Sequence, residues 1–284
     1  MNDMHVTSHR NGFADGYTKV VGLDDRVNVG MEFGIFRAPS GTSHAFSRER
    51  HETQVIVLSG EGQIQFDDSA RHDTTFDVAR GDLFREKPWA FIFPSGTQWS
   101  VSGGRDLYLE VAVLYAENHR WFRPQVVRPK DVPSEPRGRG IAGGTMHREV
   151  RAIFGDPNAP VRPPESNIVA GEVVNFPGKW SSYPPHYHPH NEVYYYRFDK
   201  PQGFGVSVMN EDAYVVHTHD AVKILNCVGH AQVSAPGYAM WYLWFIRQIE
   251  GSRYEGNPPF KFFPEHTWIN EPDANEKILK PEET

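Results

Sequence analysis

A chain of 284 residues is long enough to bury a substantial core, as two ordinary domains or as one large β-structure. Its net charge of -7 sets up a field that repels nucleic acid and anionic membranes, so an anionic ligand needs a local cluster of Arg or Lys. A single cysteine, Cys227, excludes an internal disulfide framework and suits a reducing compartment. It reads as a small buried residue rather than a nucleophile, because no activating partner is visible. With 25 Gly, 22 Pro and 13% aromatic residues, the chain favours many short strands joined by turns over long helices. Residues 1–5 carry no basic and apolar leader, and the apolar run 239–246 is far too short to span a bilayer, so the expected address is the cytoplasm.

Residues 1 to about 28 are polar and read as an entry segment with one edge strand. A strand is expected over 31–37, then a Pro39-Ser40-Gly41 turn. The stretch 54–66 reads as a strand, a hairpin punctuated by Gly60 and Gly62, and an alternating strand. Turns follow at Arg80-Gly81-Asp82 and Pro94-Ser95-Gly96, and 108–115 is an apolar strand. Residues 128–148 are rich in Pro, Gly and Arg and read as a linker. They contain Gly138-x-Gly140-x-x-Gly143, which follows Pro133-Ser134-Glu135-Pro136 instead of leaving a strand to open a helix, so a dinucleotide site is not expected there.

The second half repeats the order of strand, Gly turn and strand from Ile168 to Ile246. Within it lies Pro184-Pro185-His186-Tyr187-His188-Pro189-His190-Asn191-Glu192-Val193-Tyr194-Tyr195-Tyr196-Arg197. Side chains alternate along a strand, so His186 and His188 face one way and can grip one ion. Pro189 and Asn191 allow an irregular step that returns Glu192 to that face. The best-placed fourth donor is His230, after Gly229. Three imidazoles and one carboxylate suit a divalent Zn, Fe, Mn, Co or Ni ion with positions left for substrate. His190 shares the histidine parity and is a rival to Glu192, whereas His217 and His219 sit beside Thr218 and Asp220 in a turn and read as surface residues. Tyr194 and Tyr196 continue the alternation from Glu192 and are candidates to donate to substrate oxygens. Gln202, Tyr242 and Arg247 are weaker candidates to line the mouth. After Gly251 the tail is acidic and Pro-rich, with Phe260-Lys261-Phe262-Phe263-Pro264 able to pack back across the structure.

The spacing His-x-His-x3-Glu with a later Gly-His, the text around Trp180–His186, Pro201-Gln202-Gly203-Phe204 and Ala235-Pro236-Gly237-Tyr238 together carry a resemblance. The chain resembles the sugar-acid isomerase family that contains 5-deoxy-glucuronate isomerase of bacterial inositol catabolism and 5-keto-4-deoxyuronate isomerase, within the cupin superfamily. The resemblance implies an all-β bicupin of two jelly-roll barrels: residues 1–127 as a degenerate barrel, 128–165 as linker, and 166–284 as a metal-binding barrel with a tail. It also implies metal ligands His186, His188, Glu192 and His230, and conversion of 5-deoxy-glucuronate to 5-dehydro-2-deoxy-gluconate. Arg197 matches the arginine of the family's Tyr-Tyr-x-Arg text and becomes a candidate for the substrate carboxylate, although strand parity sets it out of phase with Tyr196. In the first half, Arg48-Glu49-Arg50-His51-Glu52 stands where a first ligand pair belongs, so His51 and Glu52 read as solvated or structural.

The sequence departs from the family text at Tyr187 (Lys), at Trp244 (Asn), in the short loop before Glu192 and in Cys227-Val228-Gly229 (Pro-x-Gly). These changes bear on the substrate more than on the metal. Competing readings are a related uronate isomerase, an Fe(II) dioxygenase using the same ligands, and a non-enzymatic sugar-acid-binding cupin. A homo-oligomer is expected from exposed sheet edges.

Overall fold

The computed structural model describes residues 3–68, 74–105, 107–256 and 258–279. The protein is mostly β, built from a nine-stranded sheet in its first half and from a seven-stranded and a five-stranded sheet in its second. Among the described residues no helix is long and apolar enough to cross a membrane.

The stretch read as strand, hairpin and strand is one strand, His51–Phe66. It pairs with Ala90–Phe93 and Leu109–Glu117 along its first part and with Thr75–Arg80 and Trp99–Gly103 along its second. A register shift between Val57 and Ser59 and a left-handed Gly60 (φ 88) let it change partners instead of turning back. A Cβ on Gly60 would lie 1.8 Å from the Tyr108 carbonyl oxygen, so only glycine fits.

Residues 55–58 are apolar on both parities because both faces of the strand are covered. Val55 and Val57 join Ile64, Phe66, Phe91, Phe93 and Val111 in a core inside the first half. Ile56 and Leu58 turn the other way and meet Ile153, Val193, Tyr195, Trp241, Leu243 and Phe245 of the second half in a continuous core. The halves are therefore cemented face to face.

The seven-stranded sheet runs His5–Val6, Ala221–Ile224, Glu192–Phe198, Met240–Arg247, Ile168–Asn175, Arg148–Phe154 and Glu135–Arg137. Two departures from the expected boundaries follow. The segment read as a linker supplies the last two strands, because Val150, Ala152, Ile153 and Phe154 are apolar enough to be buried. The entry segment supplies the first strand, pairing His5 with Val222. Three side chains clamp that segment: Arg10 Nε donates to Asp220 Oδ1 at 2.7 Å, His5 Nε2 lies 2.9 Å from Asp220 Oδ2, and buried Lys223 Nζ donates to Asp25 Oδ2 at 2.6 Å.

The five-stranded sheet runs Asp212–His217, Phe204–Met209, His230–Ser234, Trp180–Tyr187 and Lys261–Phe262. Its inner face and that of the seven-stranded sheet enclose Tyr194, Tyr196, Met209, Val216, Met240 and Tyr242. The tail returns as expected, with Phe262 paired to His186.

Candidate active site

His186 and His230 lie directly opposite each other on antiparallel strands of the five-stranded sheet. Pro184 and Pro185 lack the N–H that a ladder requires, and the register slips between Ser181 and His186, with Ser182 at φ 56 and a cis Tyr183–Pro184 peptide. That slip leaves the Ser182 carbonyl to accept from His186 Nδ1 at 3.2 Å, while His230 Nδ1 donates to the Val228 carbonyl at 3.0 Å. With Nδ1 carrying the proton in each ring, both Nε2 atoms present lone pairs. His188 follows the end of its strand, and its Nε2 lies 3.1 Å from Glu192 Oε2. The same oxygen is 3.3 Å from His230 Nε2. Ligand atoms of the three histidines lie within 4.8 Å of one another.

All four side chains are buried. Burial holds the His186 imidazole well below its ordinary value, helped by His230 and His188. For Glu192, burial pushes upward, but hydrogen bonding and positive charge on the His188 and His230 rings pull harder and bring the carboxyl down to about 2; in that state the rings hold protons that a bound cation would replace. Imidazole nitrogens gathered around a carboxylate are the donors a divalent cation takes as ligands, displacing their protons as it binds. His230 Nε2 is buried without a hydrogen-bond partner. An orphaned nitrogen aimed at a carboxylate oxygen is costly unless a cation lies between them. The donor set thus fits a divalent ion.

A cavity of about 460 Å³ opens beside this cluster, and His186, Glu192, Tyr194, Tyr242, Arg148 and Asp156 are among its walls. The Tyr194 hydroxyl is 3.4 Å from Ser182 Oγ, and that of Tyr242 is 2.5 Å from Ser181 Oγ. Burial, reinforced by Glu192, holds the Tyr194 phenol well above its ordinary value, so it is a donor and not a base at neutral pH. The Phe260 ring of the tail lies tilted with its centroid 4.4 Å from that of His186, and Tyr254 stands edge-on 5.3 Å from His188.

Other expected residues lie elsewhere. Tyr196 is buried behind the cavity wall, its hydroxyl donating to Gln232 Oε1 at 2.8 Å. Arg197 has the parity of Val193 and Tyr195, so it points between the halves. There its Nη2 donates to Glu110 Oε1 at 2.6 Å and to the Tyr195 hydroxyl at 2.9 Å. It is not among the cavity walls. His190 Nε2 donates to the Ser252 carbonyl at 2.6 Å and stands outside the histidine group. Tyr242 lines the cavity, whereas Arg247 reaches the Asn167 carbonyl and Gln202 is exposed. His217 and His219 are half-buried, His219 at φ 73.

Cys227 is exposed, contrary to the buried reading, because it sits at φ 60 in the turn before His230. Glu52 is fully buried and structural, accepting from Asn118 Nδ2 at 2.5 Å, Ser166 Oγ at 2.9 Å and the Asn167 amide at 2.8 Å. Sequence reasoning missed Arg148 and Asp156. The apolar run Val150-x-Ala152-Ile153-Phe154 just after Arg148 was the signal that this stretch is a strand.

A model of the KduI/IolB family matches residues 5–269. This chain belongs to the KduI/IolB family. It is similar to proteins named 5-deoxy-glucuronate isomerase from Halalkalibacterium halodurans, at 27% identity over 86% of this chain and 90% of that one. The Bacillus subtilis (strain 168) protein of the same name is 26% identical, over 85% and 88% of the two chains. In three dimensions the family fold is shared with an IolB-like protein from Salmonella typhimurium, with a TM-score of 0.76, 22% identity and coverage of 91% and 97%. It also extends to an oxalate decarboxylase from Lactobacillus farciminis, with a TM-score of 0.61, 13% identity and coverage of 83% and 82%. Those likenesses show a cupin-like fold.

Proposed function

We propose that this KduI/IolB protein is a divalent-metal-dependent aldose–ketose isomerase converting 5-deoxy-glucuronate to 5-dehydro-2-deoxy-gluconate in inositol catabolism. The observation that carries the reading is the buried group of His186, His188 and His230 around the Glu192 carboxylate, at the wall of a cavity of sugar-acid size. The name shared by the matched relatives supports the substrate. We read the architecture as a bicupin, its first barrel without ligands and its second holding the ion; the pairing of the sheets by halves supports this. The two barrels meet near the 128–165 segment, whose strands belong with the second. Exposed edges such as Asp212–His217, where Val215 is 52% exposed, support a homo-oligomer, and a metabolic substrate supports a cytoplasmic address.

His186, His188, His230 and Glu192 would hold the ion, and the chemistry it supplies when bound is polarisation of the C1 carbonyl, which acidifies the C2 proton. Tyr194 presents a hydroxyl to a substrate oxygen and stays protonated while doing so. Tyr196 acts indirectly, fixing Gln232 behind Ser182. Trp244, Tyr254 and Phe260 line the cavity with aromatic rings beside the histidine group. Arg197 ties the halves together.

The test is incubation of protein loaded with a redox-silent ion with 5-deoxy-glucuronate in D2O without oxygen, following the C2 proton by NMR. Exchange and ketose formation are expected. His188→Ala should lose the metal by elemental analysis and lower turnover at least about a hundredfold. Full activity in that variant overturns the site. Turnover that appears only with oxygen and iron moves the protein to the dioxygenases, and sugar-acid binding without turnover makes it a binding protein.

A further inference from the structure

We propose that Arg148 is the anchor for the carboxylate of an acidic sugar in this cavity, the part for which the family resemblance made Arg197 a candidate. The proposal rests on the isomerase reading only for the identity of the sugar. Arg148 begins the strand Arg148–Phe154 and lines the cavity that His186 and Glu192 also line. It lies directly across the ladder from Arg137. Like charges facing each other across two strands are destabilising unless an anion offsets them. Arg137 has its own anion, donating from Nη2 at 2.7 Å and from Nε at 3.1 Å to Glu135 Oε2. Arg148 has none: its one hydrogen bond runs from Nη1 to the Met146 carbonyl at 2.9 Å, and no carboxylate pairs with it among the described residues. Burial weakens its hold on the proton, as expected of a desolvated cation awaiting a partner.

Arg148 thus leaves most of its five-donor fork unspent, in the geometry that accepts both oxygens of a carboxylate. The charges agree. Arg137 and Arg148 line the cavity with Glu135, Asp156 and Glu192, so with a divalent ion bound at the histidines the walls would leave one positive charge for a mono-anion to cancel. In a chain of net charge -7, this is the local cation cluster an anionic substrate needs. Tyr194 and Tyr242 line the same cavity and both act electrostatically on Arg148, while the Tyr194 ring lies 5.7 Å from that of His230, so one cavity offers Arg148 to an acid and the histidine group to the other end of the molecule.

The test compares glucuronate with glucose, and 5-deoxy-glucuronate with its neutral primary-alcohol analogue, on metal-loaded full-length protein. Binding is read by calorimetry and ketose formation by NMR. Wild type should prefer the acid in binding by about ten- to a hundredfold, and Arg148→Gln should abolish that preference while leaving the weak binding of the neutral sugar in place. Should Arg148→Gln not fold, Arg148→Lys decides: a point charge without the fork should lose part of the acid affinity, and full affinity overturns the proposal. A glutamine variant that keeps the acid preference, or a wild type that lacks it, overturns it as well. The isomerase reading fails separately, by absence of ketose in a wild type that still prefers the acid through Arg148.

Discussion

Four consecutive side chains show how one residue of phase decides a role. In Tyr194-Tyr195-Tyr196-Arg197 the even positions enter the space between the sheets of the second half, and the odd ones enter the interface between halves. Arg197, chemically suited to a carboxylate, is spent on Glu110 across that interface. Beside it, His219 packs at a tilt against Phe13 with ring centroids 4.8 Å apart and faces Arg197, Glu110 and His9. Burial first, and then the Arg197 charge, bring its pKa down to about 4. Between the ordinary histidine value near 6.5 and about 4, the unfolded chain binds a proton that the folded one refuses, so stability falls as pH drops through that window. The loss is at most about 3 kcal/mol, less what solvent screening removes. His219→Asn tolerates the left-handed backbone and removes the titration, so its melting temperature should fall less than that of wild type between pH 6.5 and 4.5. Parallel curves for the two proteins would refute this assignment.

At the scale of the element, the Ile168–Asn175 strand shows what a missing side chain is for. Gly171 faces Trp244 on the neighbouring strand, and a Cβ there would lie 2.4 Å from the indole Cζ2 and 2.8 Å from the Arg151 carbonyl oxygen. Trp244 is a cavity wall, and the glycine makes room for its ring. Gly171→Ala should destabilise by about 1–3 kcal/mol through overpacking and push the indole toward the cavity. A denaturant titration measures the first effect and a raised KM the second; Gly171→Ala with Trp244→Asn should recover both. An unaffected single variant would show that the strand can shift.

For the whole molecule, the joint between halves contains a buried ionic triad. Glu172 is fully buried and accepts from Arg80 Nη2 at 2.7 Å and Arg151 Nη1 at 2.7 Å, while Arg80 also donates to the Val57 and Glu86 carbonyls. One half contributes Arg80 and the other Glu172 and Arg151, so the triad holds the halves in register. Glu172→Gln leaves two arginines without an anion and should cost about 3–5 kcal/mol in chemical denaturation. Replacing all three with apolar residues of similar volume should cost far less. A near-neutral Glu172→Gln would mean that the carbonyls alone satisfy both arginines.

Much of this was legible in the sequence. The strands Glu32–Ala38 and Leu109–Glu117 fall on the expected spans 31–37 and 108–115 to within two residues, because alternation and turn residues are local properties of the chain. The spacing of His186, His188, Glu192 and His230 also spoke of their gathering, since strand period fixes which neighbours share a face. Tertiary structure alone decided what crosses between distant segments. It made a strand of the Pro- and Gly-rich stretch before Phe154, because the seven-stranded sheet offered Val173 and its neighbours as partners. It bent His51–Phe66 around Gly60 instead of folding it into a hairpin. It chose Arg148 over Arg197 for the cavity, because a charged side chain follows the face its strand presents, and that face is set by whatever sheet packs against it.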